Sequence, residues 1–176
     1  MSDFALSATF TPVIRLERPA DVEAIREIHL SAFPTPVEAD LVDRLRADGD
    51  LSLSVVVAEN GVIGHLAFSP VVIGGGEPVR AYALGPVGVA PDHQSRGLGA
   101  AMIRYGLERL QKGGEQLVLL LGDPNYYGRF DFTLETAAGL VSRWSGPHYM
   151  GLELNGPIPQ LAGRPVRYAA GFEALG

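Results

Sequence analysis

Cysteine is absent from the chain. That removes disulfides, thiolate nucleophiles and zinc sites built on cysteine, and it agrees with a reducing compartment. A basic stripe is also missing. The formal net charge is −6, and residues 1–50 hold ten carboxylates against five arginines. A duplex-binding protein needs clustered cations to release counterions, so nucleic acid is not an expected partner. No apolar run approaches the roughly 18 residues that span a bilayer. The opening Met1–Ala5 lacks the positive start and apolar stretch of a secretory leader. The expectation is a soluble, cytoplasmic protein with no membrane partner.

What is present suits a packed globule. Apolar residues make up 47% and charged residues 19% of the 176, enough for a core, and the length predicts a single domain over 1–176. Val13–Leu16 reads as a first strand. Asp21 reads as the cap of a helix whose apolar positions Val22, Ile25, Ile28 and Ala32 recur at helical spacing. Thr35-Pro36-Val37-Glu38 has the order of a capping box with proline in the first turn, opening a second helix that Gly49 ends. Asn60-Gly61 separates apolar runs at 53–59 and 62–73 as a hairpin turn would. Gly74–Gly76 turns the chain into a third run at 79–89.

A helix is expected over 98–112 with Gly113 as its stop, then a buried strand at 117–121 and a helical turn at 125–129. Beyond residue 132 the pattern weakens, with short strands expected at 141–144, 149–154 and 166–170. The order is that of an α+β domain.

The chemistry is concentrated in Val87-Gly88-Val89-Ala90-Pro91-Asp92-His93-Gln94-Ser95-Arg96-Gly97-Leu98-Gly99-Ala100. An apolar strand runs out into a polar turn, and a glycine-punctuated segment opens a helix. Glycines permit a tight turn and close backbone approach. The helix start then aims free N–H groups and a positive dipole end at one point, which is how backbone binds phosphate. The spacing is neither G-x-x-x-x-G-K-[ST] nor G-x-G-x-x-G, so the P-loop and dinucleotide readings fail.

Gln94-x-x-Gly97-x-Gly99 instead resembles the acyl-coenzyme A loop of the GNAT superfamily of N-acetyltransferases. The element order resembles that family over most of the chain. Residues 121–132 resemble a second signature, Y-x-x-x-G-F, with Tyr127 and Phe132 in register and Asp131 in place of the glycine. The tail 133–176 is similar to a bacterial branch of the family.

The resemblance implies a GNAT fold, a central mixed, mostly antiparallel sheet flanked by helices. It implies acetyl-CoA as cosubstrate, no metal, and an amine acceptor, small molecule or peptide. Direct transfer in a ternary complex would follow, because neither cysteine nor a G-x-S-x-G serine offers a covalent route. A homodimer is left open. By resemblance, Val87, Gly88 and Val89 would offer backbone to the pantetheine arm. Gln94, Ser95, Arg96, Gly97, Leu98, Gly99 and Ala100 would cradle the pyrophosphate, with the Arg96 guanidinium in reach of a phosphate oxygen and Leu98 packing into the helix. Tyr127 would be the general acid that protonates the leaving thiolate, with Tyr126 its neighbour about 100° round the helix.

The general base has no such marker. The strand 80–89 holds no acidic residue, and Glu59 and Asp123 are equally well explained as solvated turn residues. Pro86 lacks an N–H for an acyl carbonyl. The missing base motivates an alternative, a non-catalytic acyl-CoA-binding or sensing module. The carboxylates of residues 21–50 would give a cationic acceptor a negatively charged approach.

Overall fold

The computed structural model describes residues 11–175. Met1–Ala5, read above for leader features, lies outside the described residues. Seven strands form one sheet: β1 (Val13–Leu16), β2 (Leu53–Ala58), β3 (Val62–Ile73), β4 (Ala81–Val89), β5 (Leu117–Leu121), β6 (Tyr149–Glu153) and β7 (Val166–Tyr168). The helices are α1 (Val22–Ala32), α2 (Val37–Asp48), α3 (Leu98–Lys112), α4 (Pro124–Tyr127), α5 (Leu134–Ala138) and α6 (Ala170–Glu173). The strand order is β1-β2-β3-β4-β5-β6, and β7 pairs with the far end of β3. Only β4 and β5 run parallel among the paired strands of the described residues. The expected mixed, mostly antiparallel sheet is the one observed.

Alternation along β2 and β3 explains why both faces are covered. Val55, Val57, Leu66 and Phe68 point to one side, where Met102, Ile103, Leu107 and Leu110 of α3 meet them. Val56 and Ala67 point to the other, against Ile25 of α1 and Val42 of α2.

Two helix starts differ from the reading above. Thr35 does not cap α2; Pro36 is the N-cap, with no side-chain hydrogen bond there. Asp21 spends its carboxylate on Arg15, at 2.6 and 3.0 Å, and on the Arg18 amide rather than on α1. Residues 141–144 are not a strand either: Val141 makes a lone bridge to Pro165, and serine-closed turns follow.

One irregularity positions everything functional. β4 pairs with β5 only over Ala81–Ala83, opposite Leu117–Leu119. The register of β4 on β3 slips between Leu84 and Val87, so Gly85 and Pro86 form a bulge. Beyond it β4 and β5 have no further pairing, and the sheet opens on an edge at Val87–Val89.

Candidate functional site

The amide of Ala90 donates to the Ile63 carbonyl at 2.9 Å, and Gly88 lies opposite His65. Antiparallel alternation then turns the Gly88 backbone toward β3, and the backbone groups of Val87 and Val89 toward the open side. Gly88 was expected to offer backbone alongside its neighbours; its place in the ladder commits that backbone to β3. The absence of a side chain at Gly88 matters for another reason. A Cβ there would lie 3.0 Å from His29 Nδ1, so glycine lets the His29 ring of α1 sit against the sheet.

After β4 the chain turns through Pro91–His93 and enters α3. Ser95 and Gly97 both have positive φ, 60° and 76°, a left-handed conformation that glycine adopts freely and serine at a cost. None of the amides from Ser95 through Ala100 has a protein acceptor among the described residues; the first intrahelical bond is Ala101 N–H to Gly97 O at 3.0 Å. Six orphan donors therefore gather at the positive end of a 15-residue helix with no acidic residue in its first turn.

Five of the six residues that carry these amides, all but Arg96, line a cleft of about 570 Å³. Val87, Gly88, Val89, Gln94, Ser95, Gly97, Leu98, Gly99, Ala100 and Tyr127, all singled out from sequence, line it. Arg96 does not. Its guanidinium makes a two-pronged pair with Glu59 at 3.0 and 3.1 Å. That pair corrects two expectations, because it turns Arg96 away from the cleft and holds the Glu59 carboxyl below its ordinary range through the Arg96 hydrogen bonds. Gln94 spends its side-chain amide on Val89 O at 3.0 Å, closing the loop on β4. Leu98 packs into the core between sheet and α3.

The short helix α4 carries the cleft's tyrosines. Asp123 caps it by accepting from the Asn125 amide at 2.9 Å, and Pro124 opens it. The Tyr127 ring lies where a side chain on Gly122 would be, 2.2 Å from such a Cβ, and packs edge-on to Phe132. Burial first, and the neighbouring Tyr126 second, push the Tyr127 phenol up to about 12. Tyr126 takes a different direction, its hydroxyl 3.5 Å from a Cβ at Gly99, over the start of α3. Asp131 has φ 67°, which explains why the family pattern has glycine there.

Sequence reasoning missed Phe33, Tyr126 and Arg129 as cleft residues. Arg129 lies 4.5 Å over the Tyr126 ring and brings to the cleft the cation that Arg96 does not. The three-residue spacing of Tyr126 and Arg129 on a helical turn was the available signal.

Behind Gly88 runs a buried polar chain. His29 Nε2 meets His65 Nδ1 at 2.7 Å, and His65 Nε2 meets Ser54 Oγ at 2.8 Å. Ser54 in turn donates to the Glu17 carboxylate, which Arg46 holds at 3.1 Å. The carboxylate sets every proton. Ser54 gives it its hydrogen and so accepts from His65 Nε2–H, leaving His65 Nδ1 to accept from His29 Nε2–H. His29 Nδ1 ends this relay as a bare acceptor, buried and without a partner among the described residues. Burial pushes His29 down to about 4 and, with His29 beside it, His65 well below its ordinary value.

Comparison with known proteins agrees with this geometry. The sequence model of the acetyltransferase (GNAT) domain matches residues 13–134. The chain is 38% identical over 136 residues to the uncharacterized N-acetyltransferase YhbS of Escherichia coli K12, covering 76% of this chain and 81% of that one. The crystal structure of E. coli YhbS in complex with CoA superposes with a TM-score of 0.84 at 33% identity, covering 95% and 94% of the two chains. A GNAT family acetyltransferase from Brucella melitensis, in complex with acetyl-CoA, superposes with a TM-score of 0.76 at 38% identity, covering 93% and 99%.

Proposed function

This chain belongs to the GNAT acetyltransferase family, and on that premise we propose that it carries the acetyl group of acetyl-CoA directly to a primary amine of a small molecule or peptide. Residues 1–176 act as one domain in this reading. The observation that carries it is the run of unpartnered amides from Ser95 through Ala100 at the start of α3. Such amides match a pyrophosphate, to which each charge-assisted bond contributes about 1.5–3 kcal/mol. A Cβ at Gly97 would meet no protein atom within 4 Å, so that space is open to a ligand. The CoA and acetyl-CoA complexes of the relatives support the same reading.

In this reading the Val87 backbone and the Val89 N–H, left free by the Gln94 bond to Val89 O, pair with the pantetheine amides as an added strand would. Arg129 supplies positive charge beside the phosphates. Acetyl-CoA brings an activated thioester, and the protein must hold it, receive the amine and supply a proton to the leaving sulfur. Tyr127 is the donor. With its phenol pushed up to about 12 it stays protonated throughout the neutral range.

Titration calorimetry with coenzyme A tests the assignment. Gly97→Glu places an anion in the cradle and should weaken binding at least about tenfold. Unchanged affinity would remove the loop from the site.

A further inference from the structure

A second cavity, of about 250 Å³, shares no lining residue with the first. Ala83–Pro86 of β4 and Leu119–Leu121 of β5 contribute to it, the stretch over which the two strands stop pairing. Leu41 of α2, Trp144 and Phe172 also line it. Val37 and Leu121, 44% and 49% exposed, give it an apolar mouth. The Tyr168 phenol in its wall is already committed, donating to the Tyr149 hydroxyl at 2.9 Å. One charged side chain reaches this apolar space: Glu38, in the first turn of α2.

Glu38 differs from the aspartates of its own helix. Asp40 and Asp43 meet Arg26, Asp43 also meets Arg46, and Asp48 meets Arg44, at 2.5 to 3.1 Å. These pairs neutralise much of the acidic approach expected from sequence. Glu38 meets no cation among the described residues, and its Oε2 is covered without a hydrogen-bond donor. A covered, donorless carboxylate oxygen is costly unless something supplies the donor. A ligand that matches both the Glu38 carboxylate and its apolar surroundings has a cationic head and an apolar body.

We propose that this cavity receives the acetyl acceptor, that the acceptor is a primary amine with an apolar or aromatic tail, and that Glu38 binds its ammonium group and takes its first proton. The assignment rests on the acetyl-transfer reading and specifies its missing base. The ammonium gives one proton to the Glu38 carboxylate, and the neutral nitrogen bonds to the thioester carbonyl carbon. As the carbon–sulfur bond breaks, the sulfur takes the Tyr127 phenol proton. The phenol recovers a proton from the nitrogen, which becomes the amide. Ammonium and thioester thus become amide, thiol and one proton, which Glu38 releases to solvent.

The experiment titrates 2-phenylethylamine and ethanolamine into the protein with and without saturating coenzyme A, and titrates coenzyme A separately. Thiol release from acetyl-CoA is followed with both amines. Phenylethylamine should bind and react in preference to ethanolamine. Glu38→Gln should weaken its binding at least about 30-fold with coenzyme A affinity unchanged. Leu121→Ser, a change at the exposed mouth that leaves the core intact, should weaken it about threefold. Phenylethylamine that fails to bind, binds no better than ethanolamine, or binds Glu38→Gln as well as wild type overturns the assignment. In that case retained coenzyme A affinity leaves the transfer reading standing. Phenylethylamine bound through Glu38 by a protein that does not bind coenzyme A supports the amine site and overturns the transfer reading instead.

Discussion

Acidification should unfold this protein through its buried histidine pair. His29 and His65 are fully buried, and their tautomers are set by Glu17 at the far end of the chain. Protonating His29 would place a charge against Gly88, where Nδ1 has no hydrogen-bond partner among the described residues. Burial is the main cause of its depressed value; Asp43 opposes it, and Arg46 lowers it further. The unfolded histidine titrates near 6.5 and the folded one at about 4. Between these values the unfolded state binds more protons, so stability is whole above about 6.5 and falls as pH drops toward 4. At 1.36 kcal/mol per pH unit, His29 alone should cost about 2 kcal/mol between pH 7 and pH 5. Urea unfolding across this range, on wild type and on His29→Gln, isolates the effect. Glutamine can still donate to His65 but does not titrate. The wild type should lose about 2 kcal/mol more than the variant over the interval. Parallel pH profiles would refute the argument.

Three further outcomes follow from the same geometry. Tyr127→Phe should lower kcat roughly 10²–10⁴-fold with coenzyme A affinity unchanged, measured by thiol release and calorimetry; a large loss in Tyr126→Phe instead would reassign the donor. Gly122→Ala should lower kcat without touching the tyrosine itself, because the new methyl occupies space that the Tyr127 ring fills; a crystal structure of the variant should show the ring displaced. Asp131→Gly should raise thermal stability by up to about 1 kcal/mol through relief of the left-handed backbone, read as a higher Tm.

Long, regular elements were legible in the sequence because many residues repeat one signal. The 12 residues of β3 fall where turn residues bound an apolar run, and the 15 of α3 where helical spacing puts them. The last third was not, because its elements are short and held by contacts from elsewhere. Helix α5 has five residues and depends on the Thr133 side chain accepting from the Thr136 amide. Val141, which looked like a strand residue, is 59% exposed. The same contrast governs the candidate site. The loop 94–100 is contiguous, so glycine spacing could mark it. His29 and His65 are 36 residues apart, and Glu38 stands out only once residues from β5 and the tail surround it. In the sequence it was one more acid near a helix start.

The break between β4 and β5 has a further consequence for how such a protein can diversify. The cleft carrying the orphan amides draws on no residue after Arg129. The second cavity takes Trp144, Tyr168, Phe172 and Leu175 from beyond the span matched by the family pattern. That tail is attached through β6 on β5, through β7 on the end of β3 and through buried Arg164, which donates to the carbonyls of Ile73, Gly74 and Glu77. In the proposed reading the tail thus completes an acceptor site whose acid, Glu38, and whose strand wall come from earlier in the chain. Exchanging residues 141–175 between relatives would therefore reshape the apolar wall of the second cavity while leaving Glu38 and the amide cradle of the first cleft in place.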